Sequence, residues 1–154
     1  SLMSNLDDLY REIILDHYRN PRNRGELASP PAHRVEGFNP LCGDEITVYF
    51  DVVDGVLREI KIAGHGCSIS QSSASLMSAA VKGKAVEDVR AVVATFKQLM
   101  TVHENSLETD AEPEAVDLRA LGELAALQGV VKFPVRIKCA TLAWNTLTQG
   151  LDEI

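Results

Sequence analysis

Apolar positions mark out the elements of this chain before any composition is counted. Leu6, Leu9, Tyr10, Ile13, Ile14 and His17 recur at helical spacing, one face of an amphipathic helix. Ser4 is placed to cap it, and Asn20-Pro21 ends it. Arg, Asn, Pro and Gly then crowd residues 20–31, which predicts an irregular but ordered loop. His33 to Phe38 reads as a short strand. Ile46, Val48 and Phe50 alternate with Thr47, Tyr49 and Asp51, a strand with two unlike faces. Asp54-Gly55 separates it from a second apolar run, Val56 to Ala63. Two such runs around Asp-Gly predict a β-hairpin whose turn takes positive φ. Ser68 to Val81 is a helix of small residues, broken by Gly83. Ala85 to Met100 is another, with Val86, Val89, Val92, Val93, Phe96 and Met100 on one face. A short helix is expected at Leu118–Leu127, stopped by Gly129, and a last one from Val135 to Leu147, after Phe133-Pro134. The order predicts an α+β fold, a small antiparallel sheet of about three strands with helices packed on it.

The 154-residue length fits a single domain, residues 3–154, with Ser1-Leu2 read as a remnant ahead of Met3. The charge of -7 argues against nucleic-acid binding, which needs a basic surface. No apolar run is long enough to cross a bilayer, so no membrane span is expected. Between Glu104 and Glu123 seven acidic residues face one base, Arg119. That stretch reads as a solvated loop, with a docking surface for a basic partner as the sharper alternative.

Three cysteines are an odd number, and no secretory signal precedes them. A cytoplasmic protein with free thiols or metal ligands is expected rather than a disulfide framework. Cys42-Gly43-Asp44 stands at a strand entrance, where a thiolate and a carboxylate one residue apart can reach one ion. The hairpin brings its far end, and so Cys67, back towards Cys42 and Asp44. Cys67 lies in Gly64-His65-Gly66-Cys67, just ahead of a helix whose N-terminus favours a thiolate. Cys139 is expected in the first turn of the last helix, where the helix end, Arg136 and Lys138 favour the ionised sulfur. Three sulfurs and one carboxylate suit tetrahedral zinc. Iron–sulfur clusters also take thiolates, and spacing does not choose between them. Each cysteine alone reads equally as a buried thiol. His17 reads as a hydrogen-bonded packing residue, His65 as a donor to a metal ligand or a loop residue without a role, and His33 and His103 have no evident partner.

Four segments together resemble the IscU-like family of iron–sulfur cluster assembly proteins. They are Asp16-His17-Tyr18-Arg19-Asn20-Pro21-Arg22-Asn23, Asn39-Pro40-Leu41-Cys42-Gly43-Asp44, Gly64-His65-Gly66-Cys67-Ser68-Ile69-Ser70 and Arg136-Ile137-Lys138-Cys139-Ala140. Scaffolds of that family carry a metal-binding histidine just before the last cysteine, where this chain has Lys138. That departure and the acidic insertion resemble the SufU branch, which serves the SUF system. The resemblance implies a zinc site of Cys42, Asp44, Cys67 and Cys139. It implies a partner, the SUF cysteine desulfurase, a pyridoxal-phosphate enzyme, with downstream SUF assembly components beyond it. It makes Cys42 the sulfur acceptor, released when a desulfurase histidine takes its place on zinc. Arg136, Lys138 and His65 are expected beside the site or facing the partner. The alternative is a scaffold that builds and transfers a [2Fe–2S] cluster. A cysteine hydrolase using His65 as base and a purely structural zinc protein are two further readings.

Overall fold

The computed structural model describes residues 2–108 and 121–154, with the side chains of residues 8–101 and 121–154. The side chains of Leu6 and His103, most of the acidic stretch and the expected helix start at Leu118 lie outside the described residues.

Helix α1 (Leu2–Arg19) leads into strands β1 (His33–Asn39), β2 (Asp44–Val53) and β3 (Val56–His65). Helices α2 (Ser68–Val81) and α3 (Val86–Glu108) follow, then a 3₁₀ segment (Gly122–Lys132) and α4 (Pro134–Asp152). The sheet is antiparallel in the order β1-β2-β3. The β2–β3 turn has φ 52° at Asp54 and 75° at Gly55, the paired positive values that a two-residue hairpin requires.

One face of the sheet carries Val35, Ile46, Val48, Phe50, Ile60 and Ile62, all buried. Helix α4 packs on β1 and β2, and α2 packs on β3 and on α4. The helices thus cover one sheet face, and the core lies between the layers. Trp144 of α4 stacks on Phe96 of α3 with ring centroids 4.2 Å apart. Helix α2 gives Leu76, Met77 and Val81 to the core and is also joined to its neighbours by buried serines. The Ser73 hydroxyl donates to the Ala140 carbonyl at 2.6 Å and accepts the Trp144 indole N–H at 3.0 Å. Ser75 Oγ accepts the Arg22 N–H at 2.8 Å, which fixes the loop after α1. That loop runs along the free side of β3, with Gly25 N–H to the Ile62 carbonyl and Ile62 N–H to the Asn23 carbonyl. The β3 edge is therefore paired at Ile62.

Three expectations are corrected. Helix α1 reaches back to Leu2, so Ser4 lies inside it rather than at its cap; Leu2 and Met3 contain no residue that stops a helix. The segment expected to stop at Gly129 continues to Lys132 as a 3₁₀ helix, because burial of Leu124, Ala125, Leu127 and Val130 holds it. Helix α3 runs past Met100 to Glu108. No helix among the described residues is long and apolar enough to cross a membrane.

Candidate metal centre

The hairpin register sets the site. Glu45 pairs with His65 and Asn39 pairs with Asp44, so the β1–β2 turn and the end of β3 share one end of the sheet. Cys42 sits in that turn, next to Gly43 at φ 66°. Cys67 is the N-cap of α2, and its sulfur accepts the Ser70 N–H at 3.5 Å. Helix α4 brings Cys139 in from the other side. Donor atoms of Cys42, Asp44 and Cys139 all lie within 4.8 Å of one another, a candidate metal cluster. The sulfurs of Cys42 and Cys139 are 3.2 Å apart. Cys67 stands at the rim of this trio, its sulfur 3.9 Å from Asp44 Oδ2 and outside the mutually close group.

Asp44 organises the centre. It is 1% exposed, and its Oδ1 accepts the Cys67 N–H at 2.9 Å. That approach depends on Gly66, where an added Cβ would stand 2.5 Å from Asp44 Oδ1 and 2.6 Å from Ser70 Oγ. Burial pushes the Asp44 carboxyl up, but bonds from the Cys67 N–H, Cys139, Ser70 and the Cys67 thiol outweigh it, and the net shift is downward. A carboxylate held ionised in the interior is ready to bind a cation.

Cys139 departs from expectation. It is the sixth residue of α4, on the second turn, because the helix begins at Pro134. The helix-end field has largely faded there. Burial first, then Cys42, Asp44 and Cys67, push its thiol well above the ordinary cysteine range. Proximity to a helix start and two cations thus loses to desolvation among like charges. A divalent cation would reverse that balance by holding the sulfur as thiolate. Arg136, which is exposed, is held more firmly charged by a hydrogen bond to Cys139 and by the fields of all three cysteines.

Cys42 is half-buried and lines a groove of about 700 Å³ with Ile69, Phe133, Pro134, Val135 and Arg136. Leu41, Phe133 and Val135 around it are large, apolar and exposed. Lys138 is exposed on α4. His65 is also exposed and pairs with Glu45 at 3.3 Å rather than with a cysteine. His17 is the buried, bonded residue expected: Nδ1 is 2.7 Å from Ser75 Oγ and Nε2 is 3.0 Å from Glu123 Oε2. His33 finds a partner in Phe50, rings 5.1 Å apart.

Two contributors had no role assigned from sequence. Asn39 Nδ2 lies 3.4 Å from Asp44 Oδ2 and 3.8 Å from Cys139 Sγ, tying the carboxylate to the α4 sulfur. Arg24 donates to the Gly64 carbonyl at 2.7 Å and so steadies the segment before Cys67. The sequence signal for Asn39 was its place ahead of Pro40 and Cys42; for Arg24 there was none.

The fold and this cluster define the class. Residues 9–140 match the NifU-like N-terminal domain model, and the chain belongs to that family. It is 42% identical over 153 residues to the zinc-dependent sulfurtransferase SufU of Bacillus subtilis, covering 99% of this chain and 96% of the relative. It is 36% identical to the iron–sulfur cluster assembly scaffold protein IscU of Streptococcus pyogenes, over 98% of this chain and 87% of the relative. A solved structure of a candidate SUF-system scaffold protein from Fervidobacterium islandicum superposes with a TM-score of 0.75 at 30% identity, covering 91% of this chain and 94% of that one.

Proposed function

We propose that this chain is a cytoplasmic iron–sulfur cluster assembly protein that accepts persulfide sulfur on Cys42 from a cysteine desulfurase and stimulates that enzyme. The observation that carries the reading is the layering of the site. Cys42 faces an open groove, while Cys139 and Asp44 lie buried beneath it. Of the three mutually close donors, Cys42 is the one a partner's sulfur can reach.

The donor set fits zinc. Tetrahedral ligands bound at roughly 2.0–2.3 Å sit roughly 3.3–3.8 Å from one another. The Cys42–Cys139 and Cys67–Asp44 contacts, 3.2 and 3.9 Å, fall close to that range. Cys42, Asp44, Cys67 and Cys139 would hold the metal. When bound, zinc supplies charge that keeps the sulfurs as thiolates, without redox chemistry of its own. The 42% identity to a protein named as a zinc-dependent sulfurtransferase supports the same choice.

In the transfer, the Cys42 thiolate attacks the outer sulfur of the donor's persulfide. A new S–S bond forms on Cys42, and the donor's cysteine leaves as thiolate. The exposed apolar rim, Leu41, Phe133 and Val135, suits a protein donor and keeps water from the exchanging sulfurs. Arg136 stands beside the sulfurs to offset their charge. Downstream SUF components would take the sulfur onward.

A second reading, a scaffold for a [2Fe–2S] cluster, draws support from the relatives named as scaffolds. Lys138 in place of a ligating histidine favours sulfur transfer. With a SUF-type desulfurase and cysteine, Cys42→Ser should abolish the stimulation that wild type gives, read as alanine formed and as sulfur on the chain by mass spectrometry. Equal stimulation by Cys42→Ser would overturn the acceptor role.

A further inference from the structure

Sulfur exchange at this site asks for two kinds of ligand. Cys42 must come off the metal while Asp44, Cys67 and Cys139 hold it. The three holding groups share a feature that Cys42 lacks. Cys67 Sγ accepts the Ser70 N–H, and Asp44 Oδ1 accepts the Cys67 N–H. Asp44 Oδ2 and Cys139 Sγ both stand against one side-chain amide, Asn39 Nδ2, at 3.4 and 3.8 Å. Among the described residues no N–H reaches the Cys42 sulfur, whose hydrogen-bond contact is with the Cys139 sulfur.

We propose that Asn39 is a positioning residue that divides the ligands: its amide holds Asp44 and Cys139 as the pair that stays on the metal, and Cys42 is thereby left as the sulfur that exchanges. This rests on Cys42 being the sulfur acceptor. A primary amide carries two N–H donors, so one nitrogen serves both acceptors. A hydrogen bond donated to a metal-bound thiolate or carboxylate fixes the direction of that ligand and supports the affinity of the site. It also stabilises the charge on the sulfur where it lies, which blunts that sulfur as a nucleophile. Cys42, without such a bond, keeps its reactivity.

Asn39 is built into this place. It is 6% exposed and pairs with Asp44 across the β1–β2 register, so it stands at the mouth of the turn that carries Cys42. Its Oδ1 accepts the Leu41 N–H at 3.3 Å and closes that turn locally, a bond that a serine hydroxyl also makes. The amide N–H groups reach the ligands, which a serine is too short to do. Turn and ligands are served by opposite ends of one side chain, so the two roles can be separated.

The test is a double-mutant cycle on the full-length protein, read as zinc affinity by competition with a chromogenic chelator. Asn39→Ser keeps an acceptor for the Leu41 N–H and removes the amide donor. It should weaken zinc binding about 10–100-fold. The same fold-change should appear in a Cys42→Ser background, because the amide acts on other ligands, and should shrink in Cys139→Ser, where one acceptor sulfur is gone. A loss that vanishes in the Cys42→Ser background would show that Asn39 serves only the turn. That result, or no loss at all, would overturn the proposal. Wild type decides the matter even where a variant does not fold. Loaded with cadmium-113, it should show scalar coupling between the metal and an Asn39 side-chain N–H proton, passed through the Cys139 sulfur. An Asn39 amide signal like that of an exposed asparagine, with no such coupling, would overturn it equally. Desulfurase stimulation, followed in parallel, separates the two readings. Equal stimulation by Cys42→Ser, with the cycle as expected, counts against the acceptor role and not against the hold of Asn39 on Asp44 and Cys139.

Discussion

Asp44 and Gly66 are an unequal pair: one is a buried charge, the other has no side chain, and each is needed for the other's position. At Gly66 an added Cβ meets Asp44 Oδ1 at 2.5 Å, so Gly66→Ala must displace the carboxylate or the Cys67 amide. We expect Gly66→Ala to weaken metal binding at this site about 10–100-fold, although residue 66 offers no ligand atom. Competition with a chromogenic chelator measures this. Asp44 itself has its carboxyl lowered below 3.8 by bonds formed only on folding. Its contribution is therefore complete above that value and lost as pH falls through the lowered folded value. In metal-free protein, Asp44→Asn should cost about 1.5–3 kcal/mol near neutral pH. The gap from wild type in urea denaturation should close as pH drops below 3.8. A gap independent of pH would show that shape, not charge, is what Asp44 supplies. At this scale the sequence was legible where chemistry is local. Cys42-Gly43-Asp44 states its own juxtaposition. The ionisation of Cys139 was not legible, because it depends on a burial that no nearby residue reveals.

Elements decide how those residues meet. The hairpin was readable from Asp54-Gly55 and from alternation, and with it the return of Cys67 towards Asp44. Helix α2 was readable as a helix of small residues, but the work of its serines was not. Ser73 bridges Ala140 and Trp144 across to α4, and such a bond depends on the relative rotation of two helices. Ser73→Ala would leave the Trp144 indole N–H without its acceptor in a buried setting. We expect a loss of about 1–3 kcal/mol in denaturant unfolding. Because α2 carries Cys67 at its N-cap and α4 carries Cys139, the same change should also weaken metal binding. The 3₁₀ segment shows the opposite failing of local reading. Gly129 looks like a stop, but the buried apolar residues on either side of it carry the segment past it.

On the scale of the whole molecule, charge and apolar surface are distributed unevenly. The chain carries a net -7, yet Lys132 and Arg136 line the groove beside exposed Phe133 and Val135, and Lys138 is exposed further along α4. A metal held there joins the β1–β2 turn, the N-terminus of α2 and α4, three elements far apart in sequence. Binding to the folded chain alone adds stability by mass action, about 2.7 kcal/mol at a hundredfold excess over the dissociation constant. Chelation should therefore lower the midpoint of thermal unfolding by several degrees. It should also speed alkylation of Cys42. An unchanged midpoint would argue against metal as a link between these elements. The architecture was foreseeable from the order of elements, since helix, strands and helices leave few ways to cover one small sheet. Bonds between elements, such as Asn39 to Cys139 or Arg24 to Gly64, were not, because they arise only once the layers have closed.

Trp144 is the chain's single tryptophan, fully buried, stacked on Phe96 and bonded to α2 through Ser73. Nature has thereby installed one optical gauge, at the joint between the helix that starts at Cys67 and the helix that bears Cys139. Its emission will follow the seating of those two helices and stay silent on fraying at the ends. Fluorescence titration with metal thus observes the platform beneath the sulfurs directly, with no label attached.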